Sequence, residues 1–343
     1  MTKVAVALSG GLDSSVTAHL LLKQGYEVIG ITGKMTNSEA AEQVVKNAKS
    51  VADFLGIKHY VVEAADKFQN LVINYFEETY KKGQTPNPCI MCNKHIKWGL
   101  LMDYATNELK ADYVATGHYA NLKKVGNYYK LYPAKDIKKD QLYFLYQLSQ
   151  EQLSKTMFPL FEYEKPQIRE IAIENNLPSK SSKESQDICF IQKPLTTKKY
   201  LENCMPNTKG DFIEISTGKK LGVHNGIHQY TIGQRKGIGI AYPEPLYVVE
   251  IDSNKNIVYV GEKKDTEKQT LILDNFNKSY PFEEKEFLAR VKIRYNMQPV
   301  EANIKITDKV TVEFLNPVNS IAKGQGCVFY DYNDGHLLGG GII

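Results

Sequence analysis

The sequence of this protein predicts an α/β fold in which an N-terminal, doubly wound parallel sheet is followed by two small β-barrel domains. Two observations predict it. In the first part of the chain, short β-branched runs alternate with longer stretches of helical periodicity, which is typical of a parallel sheet covered by helices. From about Thr208 onward, short alternating runs are separated by Gly, Asn and Asp, which is typical of barrels and sandwiches. We therefore expect three domains, at residues 1–195, 196–268 and 269–343.

Local periodicity predicts the elements of the N-terminal domain. Strands are expected at residues 3–8, 27–31, 58–62 and 112–115. Helices are expected at residues 13–24, 38–55, 67–80 and 96–109, and further helical segments at 141–148, 150–154 and 165–175. In such a sheet a ligand binds at the carboxyl ends of the strands, so the loops that follow the strands are the candidate positions for a site.

The rest of the chain is expected to be almost entirely strands. They are predicted at residues 212–215, 246–251, 257–260, 287–293, 302–306, 310–314 and 326–332. The three glycines at 339–341 precede the end of the chain rather than a helix, so they do not form a phosphate-binding loop.

Composition limits the class of protein. No stretch approaches ~18 uninterrupted apolar residues, and the apolar run before Gly10 is too short for a signal peptide. We therefore expect a cytoplasmic protein with no membrane partner. Five cysteines in a chain of 343 residues are expected to be buried thiols, metal ligands or catalytic groups rather than a disulfide framework. A formal net charge of +4 is compatible with an anionic partner without requiring one.

The most informative segment follows the first predicted strand and opens the first predicted helix. It reads Ser9-Gly10-Gly11-Leu12-Asp13-Ser14-Ser15. The glycines let the backbone approach phosphate oxygens, the serines supply hydroxyl donors, and the helix N-terminus supplies unpaired N–H groups. The segment has neither the Lys of a Walker A loop nor the third glycine of a dinucleotide loop. A plain glycine turn with an N-cap would not need the whole pattern, so we predict a phosphate-binding loop.

Two cysteine segments form the second informative pattern. They read Thr85-Pro86-Asn87-Pro88-Cys89-Ile90-Met91-Cys92-Asn93-Lys94 and Ser185-Gln186-Asp187-Ile188-Cys189-Phe190-Ile191. Thiols of this kind can carry and attack a persulfide, because the thiolate is both the nucleophile and the sulfur carrier. Taken alone, the first pair could also be an ordinary loop pair or half of a zinc site. We expect Trp98 to lie in the core, and Cys204 and Cys327 to be buried or incidental.

These segments carry a resemblance to a known family. The Ser-Gly-Gly-x-Asp-Ser signature resembles that of the PP-loop ATP pyrophosphatases, and the chain from Lys3 to Ile343 resembles the bacterial tRNA-specific 2-thiouridylase (MnmA) family. Further matching motifs are Ala115-Thr116-Gly117-His118-Tyr119, Lys139-Asp140-Gln141, Phe158-Pro159-Leu160, Gly233-Gln234-Arg235-Lys236-Gly237, Arg294-Tyr295 and Leu338-Gly339-Gly340-Gly341-Ile342. The resemblance implies an adenine nucleotide α-hydrolase-like N-terminal domain. It also implies an ATP-dependent transferase that makes 2-thiouridine from the wobble uridine of tRNAs for Lys, Glu and Gln.

The resemblance further implies which residues form the site. ATP with Mg²⁺ would be bound by Leu8, Ser9, Gly10, Gly11, Leu12, Asp13, Ser14, Ser15, Gly33 and Gly117. The target base would contact Asn87, Pro88 and Cys89. Both barrels would bind the tRNA. The tRNA would contact His118, Lys139, Asp140, Gln141, Arg294, Tyr295 and Gln325. The catalytic residues would be Asp13, Cys92 and Cys189.

Two routes for the sulfur are open. In the first, Cys189 carries a persulfide whose terminal sulfur attacks the base, and Cys92 resolves the intermediate by a transient disulfide with Cys189. In the second, Cys89 stands where many relatives have an acidic residue, and joins the other two cysteines as ligands of a [4Fe–4S] cluster with one open iron. The sulfur would come from a sulfur-donor protein or from sulfide.

Two other classes of protein share part of the pattern. A PP-loop ligase that forms an amide, such as a tRNA-lysidine or argininosuccinate synthetase, would have the ATP signature without needing paired cysteines. An RNA-binding protein with a relic ATP domain is expected to have lost Asp13 or the cysteines, and this sequence has both. Incorporation of sulfur into unmodified tRNA, dependent on ATP and sulfide, separates the three classes.

Overall fold

A computed structural model describes residues 1–182, 188–273 and 275–343 of the chain. Ser185, Gln186 and Asp187 of the second cysteine segment therefore lie outside the described residues. The N-terminal part contains seven of the described strands: β1 Lys3–Ala7, β2 Glu27–Lys34, β3 Lys58–Glu63, β4 Tyr113–Ala115, β5 Asn121–Val125, β6 Tyr128–Tyr132 and β7 Thr156–Met157. Five of them form a parallel sheet in the order β3-β2-β1-β4-β7, and β5 and β6 form a separate antiparallel hairpin. The order confirms the predicted doubly wound arrangement, because the chain leaves the central strand β1 in both directions.

The helices surround this sheet. They are α1 Leu12–Lys23, α2 Glu39–Leu55, α3 Ala65–Phe68, α4 Asn74–Lys81, α5 Pro88–Met91, α6 Gln150–Ser154, α7 Lys165–Glu174 and α8 Thr197–Cys204. Three π-helical segments, Gln69–Ile73, Cys92–Leu101 and Tyr104–Glu108, continue the helices around them. Within the described ranges, no helix combines the length and the apolar character needed to cross a membrane.

Burial of both faces of the sheet explains why the central strands are continuous apolar runs in the sequence. Val4, Ala5 and Val6 of β1 are fully buried, because α1 and α2 cover one face of the sheet and the helical segments around residues 96–105 cover the other. β2 extends three residues beyond its predicted end, to Lys34, since Thr32 and Gly33 keep their parallel register with β3. Gly33 is a poor β former by sequence, and its pairing with Val62 of β3 overrides that preference.

The predicted helix at residues 141–148 is largely wrong. Only Leu142–Phe144 is helical, as a single 3-10 turn. Leu142, Tyr143, Leu145, Tyr146 and Leu148 are fully buried while Gln141, Phe144 and Gln147 are only partly buried, so burial recurs every three residues although the backbone after Phe144 continues as turns. The hairpin of β5 and β6, the short edge strand β7 and helix α8 were not among the predicted elements.

The central domain holds a four-stranded sheet. Its strands are β8 Gly210–Glu214, β9 Lys220–His224, β10 Tyr247–Asp252 and β11 Ile257–Gly261, in the order β10-β11-β8-β9. Phe212, Val248, Val258 and Val260 form its core. Alternation of buried and solvent-facing residues is the pattern from which β8, β10 and β11 were predicted, whereas β9 was not among the predicted strands.

The C-terminal domain holds a seven-stranded antiparallel sheet. Its strands are β12 Glu267–Leu273, β13 Asn277–Lys278, β14 Glu286–Lys292, β15 Val300–Ile306, β16 Val310–Asn319, β17 Gly326–Asp331 and β18 Leu337–Ile342, in the order β12-β16-β15-β14-β17-β18-β13. The glycine run lies inside β18, as expected for a segment that binds no phosphate. A Cβ on Gly340 would lie 2.5 Å from the carbonyl oxygen of Cys327 and 3.0 Å from the Tyr146 ring, so the glycine allows close packing.

The C-terminal sheet packs directly on the N-terminal domain. Val328, Tyr330 and Leu337 belong to the same buried cluster as Tyr143 and Tyr146. Polar contacts add to this packing: the Tyr143 hydroxyl donates to the Gly326 carbonyl at 2.9 Å, and the Tyr146 carbonyl accepts from Ser279 Oγ at 2.5 Å. A shared core of this kind fixes the orientation of the two domains.

Candidate active site

The phosphate-binding loop lies between β1 and α1, as predicted. Gly10 has a φ of +72° and lies against α2, where a Cβ would be 2.5 Å from Asn47 Cβ and 2.6 Å from the Ala48 nitrogen. Only glycine satisfies both the backbone angle and the contact. In the part of the chain that the structure describes, no side chain caps the N-terminus of α1. Its first N–H groups thus remain available to an anion.

The three serines of the loop have different environments. Ser14 Oγ donates to the Gly11 carbonyl at 3.2 Å and accepts from the Ser9 backbone N–H, also at 3.2 Å. Ser15 Oγ donates to the same Gly11 carbonyl at 2.8 Å and is fully buried. Ser14 and Ser15 therefore hold the shape of the loop in this conformation. Ser9 is exposed, and its hydroxyl lies 3.1 Å from Ser14 Oγ and accepts from the Gly11 N–H at 3.4 Å.

Asp13 is held by two side chains that the sequence did not single out. Lys165, the first residue of α7, places its Nζ 2.7 Å from each carboxylate oxygen of Asp13. The Tyr119 hydroxyl donates to Asp13 Oδ1 at 2.9 Å. Three charge-assisted bonds fix the carboxylate at the first turn of α1. No motif surrounds Lys165, and a lysine in the first turn of a helix is not a signal for a site, so nothing in the sequence could have singled it out.

The remaining residues predicted to bind ATP surround this loop. A Cβ on Gly117 would lie 2.9 Å from the backbone carbon of Asp13, so the segment after β4 touches the start of α1. Leu8 is buried and its N–H donates to the Ile31 carbonyl at 2.8 Å. Gly33 lies on the neighbouring strand β2 and contacts Met35 instead of the loop. The structure thus brings Gly117 directly to the loop and leaves Gly33 one strand away.

Packing brings the two cysteine segments together. Cys92 belongs to a buried cluster with Phe68, Ile96 and Val72, and Phe190 packs against that cluster. Phe190 directly follows Cys189, and its ring lies 5.9 Å from the ring of Phe68. The aromatic anchor therefore places Cys189 beside the helix that carries Cys92.

The three thiols share one electrostatic environment. Burial raises the pKa of Cys92 to about 12 and that of Cys189 to about 11, and it also raises the pKa of Cys89. The thiols are close enough for their thiolate forms to repel one another, and in all three cases the nearby Lys97 ammonium acts in the opposite direction. Cys89 and Cys189 touch solvent, yet the surrounding protein desolvates their sulfur atoms. All five cysteines are free thiols, and the three in this cluster are protonated at neutral pH.

Lys97 is the functional candidate that the sequence analysis missed. Its Nζ lies 3.3 Å from Nε2 of His118, whose Nδ1 lies 2.8 Å from the Thr116 hydroxyl. Burial and the Lys97 charge hold the pKa of His118 well below its usual range, so the imidazole is neutral. A neutral ring that accepts from Lys97 at Nε2 must donate from Nδ1 to Thr116. His118 thus orients the ammonium group that faces the thiols.

The predicted tRNA contacts occupy different positions. His118 is only 9% exposed and packs on Trp98, which is buried in the core as predicted. Gln141 Oε1 accepts from the Tyr119 N–H at 3.0 Å, so its side chain already has a partner. Contact of these two residues with tRNA stays a prediction.

Asp140 and the Arg294-Tyr295 pair lie at the junction of two domains. Burial raises the pKa of Asp140 to about 6, and Lys292 of β14 acts in the opposite direction. Tyr295 stacks on Phe144, with ring centroids 4.6 Å apart, while Arg294 is exposed. The ring contact places the predicted tRNA residues 139–141 and 294–295 on neighbouring surfaces.

Asn87, Pro88 and Cys89 lie on a loop that reaches the C-terminal domain. Pro88 is buried, Asn87 is partly buried and Cys89 is exposed at the start of α5. The Gln325 side-chain amide donates to the carbonyls of residues just before them. Of the other two cysteines, Cys327 is buried in the C-terminal core and Cys204 is exposed.

The fold and the site define a class of protein: a phosphate-loop α/β enzyme domain with a thiol cluster, joined to two β domains. Family models agree with this division. Residues 2–193 match a model described as the tRNA methyl transferase HUP domain. Residues 198–262 match the tRNA methyl transferase PRC-barrel domain, and residues 268–343 match the aminomethyltransferase beta-barrel domain.

The chain belongs to the family of tRNA-specific 2-thiouridylases. It is 44% identical over 362 residues to the tRNA-specific 2-thiouridylase MnmA 1 of Caldanaerobacter subterraneus subsp. tengcongensis, an alignment that covers 99% of this chain and 97% of the relative. It is 43% identical over 363 residues to the MnmA of Clostridium kluyveri, covering 99% of both chains. A solved structure of the U34-tRNA thiolase NcsA from Methanococcus maripaludis with its [4Fe-4S] cluster is 20% identical, with a TM-score of 0.37 over 55% of this chain and 60% of that one.

Proposed function

We propose that this chain is a tRNA 2-thiouridine synthase, which adenylates the C2 oxygen of the wobble uridine with ATP and replaces that oxygen with sulfur. The observation that carries the proposal is the presence, in one domain, of a phosphate-binding loop and of three thiols facing one lysine. An amide-forming ligase would need the loop without the thiols. Transfer of a methyl group, which the descriptions of the family models mention, would require no phosphate-binding loop.

Adenylation solves a chemical problem of the substrate. The C2 carbonyl of uracil is a weak electrophile, so its oxygen first attacks the α-phosphorus of ATP and expels pyrophosphate. The oxygen then belongs to an AMP leaving group. The first N–H groups of α1 and the Ser9 hydroxyl would bind the phosphates, and the positive end of the helix dipole would stabilise the charge that develops.

The residues around the loop fit a nucleotide. A Cβ on Gly10 would meet α2 and one on Gly117 would meet Asp13, so both glycines allow the loop to keep its tight shape. Asp13 is fixed by Lys165 and Tyr119 at the edge of the phosphate position. Mg²⁺ would accompany the phosphates, as is usual where two phosphates are bound together.

The persulfide route uses Cys189 and Cys92. The terminal sulfur of a Cys189 persulfide attacks C2, and AMP leaves with the original oxygen. The Cys92 thiolate then attacks Cys189 Sγ, so a Cys92–Cys189 disulfide forms while the second sulfur stays on C2 as 2-thiouridine. An external thiol reduces the disulfide before the next turnover. The packing of Phe190 beside the Cys92 cluster supports this pairing.

The alternative source of sulfur is a [4Fe–4S] cluster. Cys89, Cys92 and Cys189 are a donor set that would hold three of its irons and leave the fourth open for sulfide. The mutual repulsion of their thiolates supports this alternative, because a cationic cluster would relieve it.

The test is incorporation of sulfur into unmodified tRNA in the presence of ATP and either sulfide or a sulfur-donor protein. We expect product, and release of one pyrophosphate per thiolated base, with tRNAs for Lys, Glu and Gln. Variants of these tRNAs with another wobble base serve as matched controls. Equal incorporation into the control tRNAs would contradict the proposed specificity, and incorporation without ATP would contradict the adenylation step.

A further inference from the structure

The loop that precedes Cys89 cannot satisfy its own backbone hydrogen bonds. It contains two prolines, Pro86 and Pro88, neither of which has an N–H group. The carbonyls of Thr85 and Pro86 therefore need donors from elsewhere, because the segment is too short of N–H groups to form a turn ladder. Pro86 and Pro88 are both buried, which makes unpaired carbonyls costly.

Gln325 of the C-terminal domain supplies these donors. Its Nε2 lies 3.0 Å from the Thr85 carbonyl oxygen and 3.4 Å from that of Pro86. The Thr85 N–H donates in return to the Lys323 carbonyl at 2.8 Å. Three hydrogen bonds thus join the loop to the turn before β17.

The Gln325 amide is itself oriented by its surroundings. The Tyr143 hydroxyl has one proton, which it shares between the Gly326 carbonyl at 2.9 Å and Gln325 Oε1 at 3.4 Å, and the longer contact favours the orientation in which Nε2 points toward the loop. Gly324 has a φ of +91°, and a Cβ there would lie 2.9 Å from the Thr85 carbonyl oxygen. The backbone of this turn therefore approaches the loop as closely as only glycine allows.

The central domain holds the same loop from another side. Thr85 Oγ1 lies 3.2 Å from Thr231 Oγ1, and a Cβ on Gly83 would lie 2.6 Å from the Ile251 side chain. Three domains thus meet at Thr85, two residues before Asn87.

We propose that Gln325 is a positioning residue that fixes the base-binding loop, residues 83–89, from the C-terminal domain, so that docking of this domain sets the pocket for the target uridine. The inference rests on the proposed function, and it deepens it. It gives Gln325 a role within the protein, because its amide donors bind the loop in the protein alone.

The test compares Gln325→Met, which removes the amide, with Gln325→Glu, which keeps an acceptor for Tyr143 but has no N–H donor. The matched control is Gln269→Met, because Gln269 also donates to a backbone carbonyl of the C-terminal sheet, that of Phe314 at 3.3 Å, without touching the loop. Hydrogen exchange of the Thr85 amide reports the loop directly. Single-turnover thiolation and tRNA affinity are measured beside it.

We expect both Gln325 variants to exchange the Thr85 amide at least about tenfold faster and to thiolate about tenfold more slowly, with a tRNA Kd within twofold of wild type. Gln269→Met is expected to match wild type in all three. Wild-type exchange in Gln325→Met, or wild-type behaviour of Gln325→Glu, would overturn the proposal. So would a loss of tRNA affinity equal to the loss of rate. Hydrogen exchange can be measured without enzymatic activity. If the Thr85 amide exchanges as expected in the variants but the wild type thiolates no tRNA, the result contradicts the proposed function and leaves the positioning role of Gln325 in place.

Discussion

Lys97 shows how one charged side chain can act on several sulfur atoms. Burial raises the pKa of every thiol in the cluster, because it disfavours the charged thiolate. The ammonium of Lys97 lowers the pKa of each thiol in part. His118 contributes by accepting a hydrogen bond from Lys97 while staying neutral. A protonated imidazole would repel the ammonium, so the low pKa of His118 preserves the arrangement.

We expect Lys97→Met to slow the alkylation of Cys189 by iodoacetamide about threefold to tenfold at pH 8, because loss of the cation raises a pKa that is already high. The control is Lys94→Met, since Lys94 lies on the same helical segment and contacts Gln147 at 3.2 Å. In the wild type, alkylation of Cys189 is expected to rise with pH up to about 11. Peptide mass spectrometry measures each site, and a plateau near pH 8.5, typical of an ordinary thiol, would contradict the assigned environment.

The two sulfur routes differ most clearly at Cys89. In the persulfide route Cys92→Ala and Cys189→Ala are inactive, while Cys89→Ser keeps most of its activity because this thiol neither carries nor resolves sulfur. In the cluster route all three substitutions abolish activity and remove bound iron, since loss of one ligand prevents cluster assembly. Activity and iron content of anaerobically prepared protein are measured together. Full activity of Cys89→Ser without iron in the wild type leaves only the persulfide route.

Asp13 separates adenylation from tRNA binding. Asp13→Ala is expected to abolish pyrophosphate release and to remove the ion pair with Lys165, while tRNA affinity stays within a few fold. The reason is that Asp13 lies at the phosphate-binding loop, whereas the proposed tRNA contacts lie on other segments. Filter binding and a pyrophosphate assay on the same preparation test this division. A loss of tRNA affinity beyond about tenfold would contradict it.

At the scale of elements, the π-helical segment Cys92–Leu101 determines which side chains face the thiols. An α-helix has 3.6 residues per turn, which would place residue 97 well away from the face that carries residue 92. A π-helix bonds residues five apart, which brings residue 97 nearer to the face of residue 92, and the Lys97 charge acts on the Cys92 thiol. Sequence periodicity cannot predict this register, because its templates assume α-helical or strand spacing. For that reason the analysis of the sequence found Cys92 and missed Lys97.

The contact between the phosphate-binding loop and α2 can be tested by a pair of glycine substitutions. Gly10→Ala is expected to destabilise the nucleotide-free protein by about 2–4 kcal/mol, because the methyl group meets backbone atoms of α2 and the positive φ is unfavourable. Gly11→Ala is the control, since a Cβ there would meet only the Ser9 hydroxyl, at 3.3 Å. Urea unfolding measures both variants. Equal free energies of unfolding of the two variants would show that α2 moves to accommodate the added methyl group.

Element prediction succeeded where one periodicity dominated and failed where turns share the period of a helix. The alternation in the first 115 residues predicted β1 to β4 and the intervening helices, and the turn chemistry beyond Thr208 predicted most strands of the second half. Residues 141–148 were misjudged as a helix because their buried positions recur every three residues, a spacing that successive turns produce as well as a helix does. The hairpin of β5 and β6 was missed because its lysines and tyrosines resemble an exposed loop, although it packs on the C-terminal domain through Tyr128 and Tyr280.

At the scale of the whole molecule, Arg294, which is exposed on the C-terminal domain, tests the proposed binding of tRNA. Arg294→Ala is expected to weaken tRNA binding and to lower the slope of log Kd against log salt by about 0.7 to 0.9, the value for one lost phosphate contact. Arg169→Ala is the control, because Arg169 lies on α7 and donates to the Lys180 carbonyl. Titrations at several salt concentrations measure both. An unchanged slope in Arg294→Ala would remove this residue from the interface.

The sequence predicted three domains but not how they meet. Motifs identified the phosphate-binding loop and the cysteines, since their chemistry requires particular residue types at particular spacings. The contacts of Lys165 with Asp13 and of Gln325 with Thr85 join residues far apart in the chain. A single sequence contains no signal for such pairs, because each partner is an ordinary polar residue in its own segment.

The protonation state of the thiols also determines how readily the cysteines are oxidised. Oxidation of a cysteine to sulfenic acid begins from the thiolate, so a thiol held protonated reacts slowly with peroxide even where solvent reaches it. Cys89 and Cys189 touch solvent but carry raised pKa values. The resting protein is therefore expected to keep its reactive sulfur intact near neutral pH and to lose it in alkaline buffer. Burial of the sulfur atoms thus adds to the protection that an external reductant gives these residues between turnovers.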